Sequence, residues 1–229
     1  MEFWSAEQLS KEFRAIASFY QIKIGNNMYP CRNHAVIMRK GYASQERPDA
    51  VIVMANPGSC SPKDSSYQFP IVHDDFKNIP YVEVKVDPTQ LQLMRLMKMM
   101  NWNVISIINL SNLCSGKMKE FGEKLKEIES YNQHSIFADD RANEFLLKDT
   151  QMKIILAWGQ DRSIRKLASE VVRKFQNHHS IFGLQYQSPK WGYRHPNPMI
   201  PNRCKDWLED MFEQLNHSTF HPNTDGSKD

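Results

Sequence analysis

No stretch of this sequence stays apolar for anything near the ~20 residues that cross a bilayer, so no membrane-spanning helix is expected. The opening MEFWSAEQLSKEF has neither the basic head nor the apolar centre of a secretory leader, and a cytoplasmic location is the expectation. Cysteine is sparse. Cys31, Cys60, Cys114 and Cys204 are scattered, with no pair at the short spacing of a zinc knuckle or redox couple. That spacing argues against a disulfide framework and against an iron–sulfur cluster, and no metal or cofactor is expected. An excess of charge is lacking too: the formal net charge is +3, too small to imply a polyanionic partner by itself. The basic residues do cluster, Arg162, Arg165, Lys166, Arg173 and Lys174 in one predicted helix and Arg194, Arg203 and Lys205 around a His-Pro segment. Such clusters suit a solvated helix face as well as phosphate contact.

The 229 residues are enough for one full core. Leu9, Phe13, Ile16 and Phe19 or Tyr20 at helical spacing predict a helix over 5–20, capped by Ser5. A Gly-Asn-Asn turn inside QIKIGNNMYPCRNHAVIMRKG predicts a small hairpin or edge strands. Four apolar runs then read as buried strands: Ala50 to Ala55, Asn103 to Leu110, Met152 to Trp158, and SIFGLQY. Between and after them lie predicted helices in DPTQLQLMRLMKMMNW, KMKEFGEKLKEIESY, HSIFADDRANEFLLKDT, DRSIRKLASEVVRKF and KDWLEDMFEQL, the first opened by Pro88. The long segment after Asn56-Pro57-Gly58 reads as a loop carrying Tyr67, Phe69, Phe76 and Tyr81. Strands alternating with helices predict an α/β three-layer sandwich around a central, mostly parallel four-stranded sheet. The expected organisation is an N-terminal helix and hairpin over 1–48, an α/β domain over 49–214 and a flexible tail over 215–229. Polar residues then gather at strand ends: Asn56-Pro57-Gly58, Asn109 with Ser111 and Asn112, and His195-Pro196-Asn197-Pro198. Loops leaving the carboxyl ends of parallel strands are where such folds bind ligands.

Taken together, five segments resemble the uracil-DNA glycosylase superfamily. VIVMANPGS is similar to the first motif of its mismatch-specific uracil/thymine branch, and SSYQFP sits where the family carries a base-stacking aromatic. VISIINLSNL resembles a second strand ending in Asn, IILAWGQDRSIRKL a strand-Trp-Gly-helix segment, and RHPNPM the final His-Pro-Ser-Pro loop. The Asn-Pro, Ala-Trp-Gly and Arg-His-Pro segments also resemble a widespread uncharacterised bacterial and prophage family. The first resemblance implies a uracil-DNA-glycosylase-like fold and a monomeric DNA glycosylase that hydrolyses the N-glycosidic bond of an extruded base, with DNA as partner.

That chemistry assigns roles. An extruded base is repaid by stacking, worth ~1–3 kcal/mol on an aromatic, for which Phe69 is the candidate with Tyr67 second; a plug beneath the loop is the competing role of Phe69. Asn109 offers the donor and acceptor needed to read a base edge, unless it only ties down backbone. His195 is the candidate donor to the leaving base, and Asn56 orients water without being able to take its proton. Pro57, Gly58 and Asn197 would shape the pocket, while Ser59 and Arg194 would meet the DNA backbone. Met199, with Ile200 beside it, would stand where the family places a Leu wedge. Asp64 and Asp74 in the adjacent loop are candidate carboxylates. Asn197 in place of Ser points away from ordinary uracil removal toward some altered base. The alternatives are a non-catalytic nucleobase, nucleotide or nucleic-acid binding module on the same fold, a hydrolase pairing Ser59 or Cys60 with His195, and a structural interaction protein. No Gly-x-Ser-x-Gly elbow supports the hydrolase.

Overall fold

The computed structural model describes residues 3–73, 76, 78–138, 152–175, 180–198 and 200–217. The chain begins with α1 (Ala6–Glu12), closed by a capping box in which Ser5 accepts from the Gln8 amide and Gln8 returns the bond. The predicted helix stops there, because from Phe13 onward the chain is extended and pairs with the strand that follows it. Phe13, Ala15, Ala17 and Phe19 face one side of β1 (Phe13–Ile24) while Tyr20 and Ile22 face the other. A turn at Gly25, held at a φ of 57°, returns the chain as β2 (Asn27–Arg39). These strands form one long antiparallel hairpin with an irregularity at Ser18/Phe19.

Next come β3 (Ala50–Met54), the short β4 (Ser61–Pro62) and β5 (Tyr81–Lys85), where sequence reading expected only loop. After α2 (Pro88–Met100) the order runs β6 (Val104–Asn109), α3 (Met118–Ile128), β7 (Lys153–Leu156), α4 (Arg165–Lys174), β8 (Ile181–Phe182) and α5 (Pro201–His217). Asp87 caps α2 by accepting from the Gln90 amide, with Pro88 in the first turn. The helix expected across 139–150 lies outside the described residues.

The eight strands among the described residues form one sheet in the order β4-β5-β1-β2-β6-β3-β7-β8. Pairing is antiparallel from β4 through to β6 and parallel only from β6 through β3 and β7 to β8. This corrects the expected uracil-DNA-glycosylase-like sandwich built on a central, mostly parallel four-stranded sheet. The reason is that the N-terminal hairpin is not an appendage: β2 pairs directly with β6, Ala35 opposite Ile107, and extends the sheet across its middle. The segment set apart as a tail also begins inside α5, with Leu215 buried in the core; residues 218–229 lie outside the described ones.

Helices cover both faces. Leu93, Met94 and Met97 of α2 and Trp207, Leu208 and Met211 of α5 pack with Ile52, Ile107 and Ile155 on one face. Phe121 and Leu125 of α3 and Ala168 and Val171 of α4 pack with Val51, Val53 and Ile154 on the other. The chain leaving β3 therefore reaches a helix on one face, while the chains leaving β6 and β7 reach helices on the opposite face. A crevice opens between β3 and β7, where the connections diverge.

The far side of that crevice depends on Gly183 at the end of β8. It holds a φ of 151°, and a Cβ there would stand 2.6 Å from Cδ1 of Tyr193 and 2.7 Å from the Leu156 carbonyl. Gly183→Ala is expected to destabilise the protein by about 1–3 kcal/mol, read from thermal unfolding, because the second neighbour is backbone and cannot swing aside.

Candidate functional site

A cavity of about 490 Å3 fills the crevice. Its floor is the end of β3, Met54 and Ala55, continued by Asn56-Pro57-Gly58-Ser59. Its walls are Asp87 to Gln90 at the start of α2, Ser115, Gly116 and Met118 at the start of α3, Trp158 to Asp161 after β7, and His195 and Asn197 after β8. Arg32 reaches it from β2.

Each loop is locked locally. Gly58 turns the chain at a φ of 65°, and the Asn56 Nδ2 donates to the Ser115 carbonyl at 2.7 Å, tying the β3 loop to the β6 loop. Trp158 Nε1 donates to the Trp191 carbonyl at 2.8 Å, and Gly159 and Tyr193 exchange backbone bonds of 2.7 and 3.1 Å. The His-Pro loop is thereby fastened to the end of β7. It is fastened again to α5: Trp207 Nε1 donates to the Arg194 carbonyl at 3.0 Å, and Arg194 Nη1 to Asp210 at 2.5 Å.

His195 carries the most versatile group in the cavity. The Asn197 amide donates to Nδ1 at 3.1 Å, and the Asn197 carbonyl lies 3.2 Å from the same nitrogen. In the neutral ring Nδ1 accepts and the proton sits on Nε2; in the charged ring Nδ1 donates to the carbonyl, so the backbone of one residue serves both states. Burial holds the imidazole below its ordinary value, against the opposing pull of the Asn197 carbonyl and the Asp87 carboxylate. A neutral ring with a donor at Nε2 is therefore the resting form near pH 7. Asp87 accepts from the Gln90 amide at 2.8 Å and Asp161 from the Ser163 amide at 2.9 Å, so each acid in the cavity also caps a turn.

Arg32 is 3% exposed, and among the described residues its side chain bonds only to Asn109 Oδ1, at 3.4 Å. Its Nε and the Asn109 Nδ2 are buried donors without a hydrogen-bond partner. No carboxylate forms a salt bridge with Arg32 among the described residues. Beside it, burial pushes the Cys114 thiol up to about 12, with the Arg32 charge opposing and Cys60 adding to the rise. Cys114 is thus a neutral neighbour rather than a counter-ion.

The structure brings Asn56, Pro57, Gly58, Ser59, His195 and Asn197 together at this cavity. It places other sequence-derived candidates elsewhere. Phe69 packs on Phe19 with ring centroids 5.2 Å apart and Tyr67 on Phe69 at 5.7 Å, both against the core and away from the cavity lining. Asn109 is fully buried behind Arg32 and braces it. Arg194 is turned toward α5. Cys60 is buried, accepting from Gln90 Nε2 at 3.7 Å, and is not part of the lining. Exposed Asp64 folds back on the Ser66 amide and hydroxyl. Ile200 is exposed at the start of α5, and Met199 and Asp74 lie outside the described residues.

Sequence reading missed Arg32, Asp87, Gln160 and Asp161. Arg32 had a signal: Arg-Asn-His is a polar run within a strand whose flanks are apolar, and all three residues are buried. The sequence placed Pro88 at the opening of α2, but not the preceding Asp87 as its cap or at the cavity.

Fold and site together define an α/β protein with a ligand-sized crevice at the divergence point of its parallel strands. The chain belongs to the family described as "Protein of unknown function (DUF1643)", whose model matches residues 81–197, just over half of its length. No curated protein matches it, and no solved structure does. Nothing in these comparisons joins it to the uracil-DNA glycosylase superfamily. The matched span holds Asp87, Trp158, His195 and Asn197, whereas Arg32 and Asn56 come from the strands before it. Among the described residues no helix is long and apolar enough to cross a membrane, and no group of three or more His, Cys, Asp or Glu is placed to hold a metal.

Proposed function

We propose that the crevice binds a nucleobase or nucleotide. The observation that carries this reading is the cavity lining, which combines the side-chain amides of Asn56, Gln160 and Asn197 with the apolar side chains of Met54, Leu93 and Met118. A ring with polar edges needs such a combination. The volume falls within the range of about 300–1,000 Å3 that suits a small ligand. The test is thermal stabilisation of the full chain by free bases, nucleosides and nucleotides. A shift lost in His195→Ala supports the reading, and the absence of any shift across the panel sinks it. His195→Ala is expected to weaken binding roughly tenfold, about 1.4 kcal/mol, through loss of one hydrogen bond in a partly dry cavity.

A second reading, cleavage of an N-glycosidic bond in DNA, draws on one arrangement: Asn56 and His195 share the cavity with Asp87, whose carboxylate acts on the imidazole. Water held by Asn56 or Asp87 and a donor at His195 Nε2 are the parts such a hydrolysis needs. Against it, Phe69 and Asn109 are not available to stack on or read an extruded base. Labelled oligonucleotides containing uracil, mismatched thymine and hypermodified pyrimidines, treated with alkali, test this. Breaks lost in both Asn56→Ala and His195→Ala favour cleavage, and intact strands on every substrate leave the binding reading alone.

A further inference from the structure

We infer that Arg32 and the start of α3 form an oxyanion subsite, and that the ligand of the crevice carries a phosphoryl group. The inference rests on the nucleotide-binding reading above and specifies its ligand. A guanidinium stays charged at any ordinary pH, and a buried one is stable only beside an acceptor, most effectively an anion. Arg32 is buried in the cavity wall, and among the described residues a neutral amide 3.4 Å away is its one side-chain partner and its Nε–H meets no acceptor. The Asn109 Nδ2 beside it is a second donor in the same condition. Arg32 lines the cavity and Asn109 does not, so the free Nδ2 marks how few acceptors surround the guanidinium, while the cavity is the side from which an acceptor can come.

An independent element converges on the cavity. The eleven-residue α3 begins there, with Gly116 and Met118 in the lining; its N-cap, Lys117, offers the first-turn amides no side-chain acceptor, and its ammonium pairs instead with Glu120 at 3.1 Å. No cap side chain takes up the start of α3, whereas the start of α2 is already occupied by Asp87. An uncapped helix start and an arginine fork both select oxyanions, and the fork favours two oxygens on one centre. The carboxylates in the cavity do not substitute. Asp87 and Asp161 cap their own turns, and among the described residues neither forms a salt bridge with Arg32. The neutral thiol of Cys114 and the neutral imidazole of His34, whose protonation the Arg32 charge opposes, supply no negative charge either.

The test uses the full chain and three probes at constant ionic strength: inorganic phosphate, the four ribonucleoside 5′-monophosphates and the matching nucleosides. Thermal shift and calorimetry are read for the wild type, Arg32→Met and Asn109→Asp. The second variant places a carboxylate against Arg32 without removing the guanidinium, and so remains informative if Arg32→Met does not fold. The inference predicts at least tenfold tighter binding of a monophosphate than of its nucleoside, and stabilisation by phosphate that both variants lose. It also predicts that Asn109→Asp melts at or above the wild type in chloride, because the carboxylate takes the place of the oxyanion. Equal binding of nucleoside and nucleotide, unaffected by either substitution, overturns the subsite and leaves the nucleobase reading intact. No binding of any probe overturns both.

Discussion

Trp207→Ala is expected to destabilise the protein by about 3–5 kcal/mol and, with the same substitution, to loosen the loop that carries His195. The size follows from burial. Trp207 is 0% exposed and packs in the cluster that joins α2, α5 and the sheet. Its truncation leaves a cavity that surrounding β-strands cannot collapse into. The second effect follows from position. Trp207, Asp210 and Gln214 recur at helical spacing along α5, and all three hold the chain that leaves β8: Trp207 the Arg194 carbonyl, Asp210 the Arg194 guanidinium, and Gln214 both the amide and the carbonyl of Gly183. Trp207→Phe separates the two contributions. It keeps most of the ring but drops the bond to Arg194, and is expected to cost about 1–2 kcal/mol while still weakening ligand binding. Urea denaturation gives the first quantity and titration of the ligand the second. A Trp207→Phe protein that binds as the wild type does would show that the loop is held without this bond.

The parallel half of the sheet was legible in the sequence because β3 is an uninterrupted apolar run, β6 one broken only by Ser106 and β7 one opened by Lys153, and strands buried on both faces look like that. The antiparallel half was not. From Phe13 to Tyr20 the apolar residues satisfy a period of three to four as well as one of two, and only the pairing partner, β2, decides between them. In β5, Tyr81, Glu83 and Lys85 are exposed and only Val84 is fully buried, so a short edge-proximal strand carries little apolar signal of its own. The site divides along the same line. Asn56, His195 and Asn197 follow parallel strands whose ends could be read, and the structure brings them to one cavity. Arg32 lies within the strand that sequence reading reduced to an edge hairpin, and its place at the cavity depends on β2 lying beside β6. Phe69 and Tyr67 show the converse: aromatic residues in a long loop satisfy a stacking role and a core role equally in sequence, and here Phe19 is the ring they meet.

Acid is expected to unfold this protein earlier than its carboxylates alone would allow, through His34. The side chain is buried in β2, with Nδ1 2.6 Å from the Tyr81 hydroxyl. Burial, and after it the Arg32 charge, lower its pKa from 6.5 to about 3. The folded state therefore refuses a proton that the unfolded chain accepts once the pH drops below 6.5. Stability from this group is complete above that value and falls by about 1.4 kcal/mol per pH unit below it, until the folded pKa is reached. The loss is about 2 kcal/mol by pH 5 and about 4–5 kcal/mol in full. His195, also lowered by burial, acts in the same direction. His34→Gln keeps a polar partner for Tyr81 that does not titrate, so urea denaturation at pH 7 and pH 5 should show the wild type losing about 2 kcal/mol more than the variant. Parallel profiles would remove His34 from the account. The same measurement reaches the oxyanion subsite, because the Arg32 charge is the second cause of the His34 shift. A phosphoryl group on Arg32 offsets that charge, raises the His34 pKa toward its ordinary value, and should make the acid loss smaller in phosphate than in chloride at equal ionic strength.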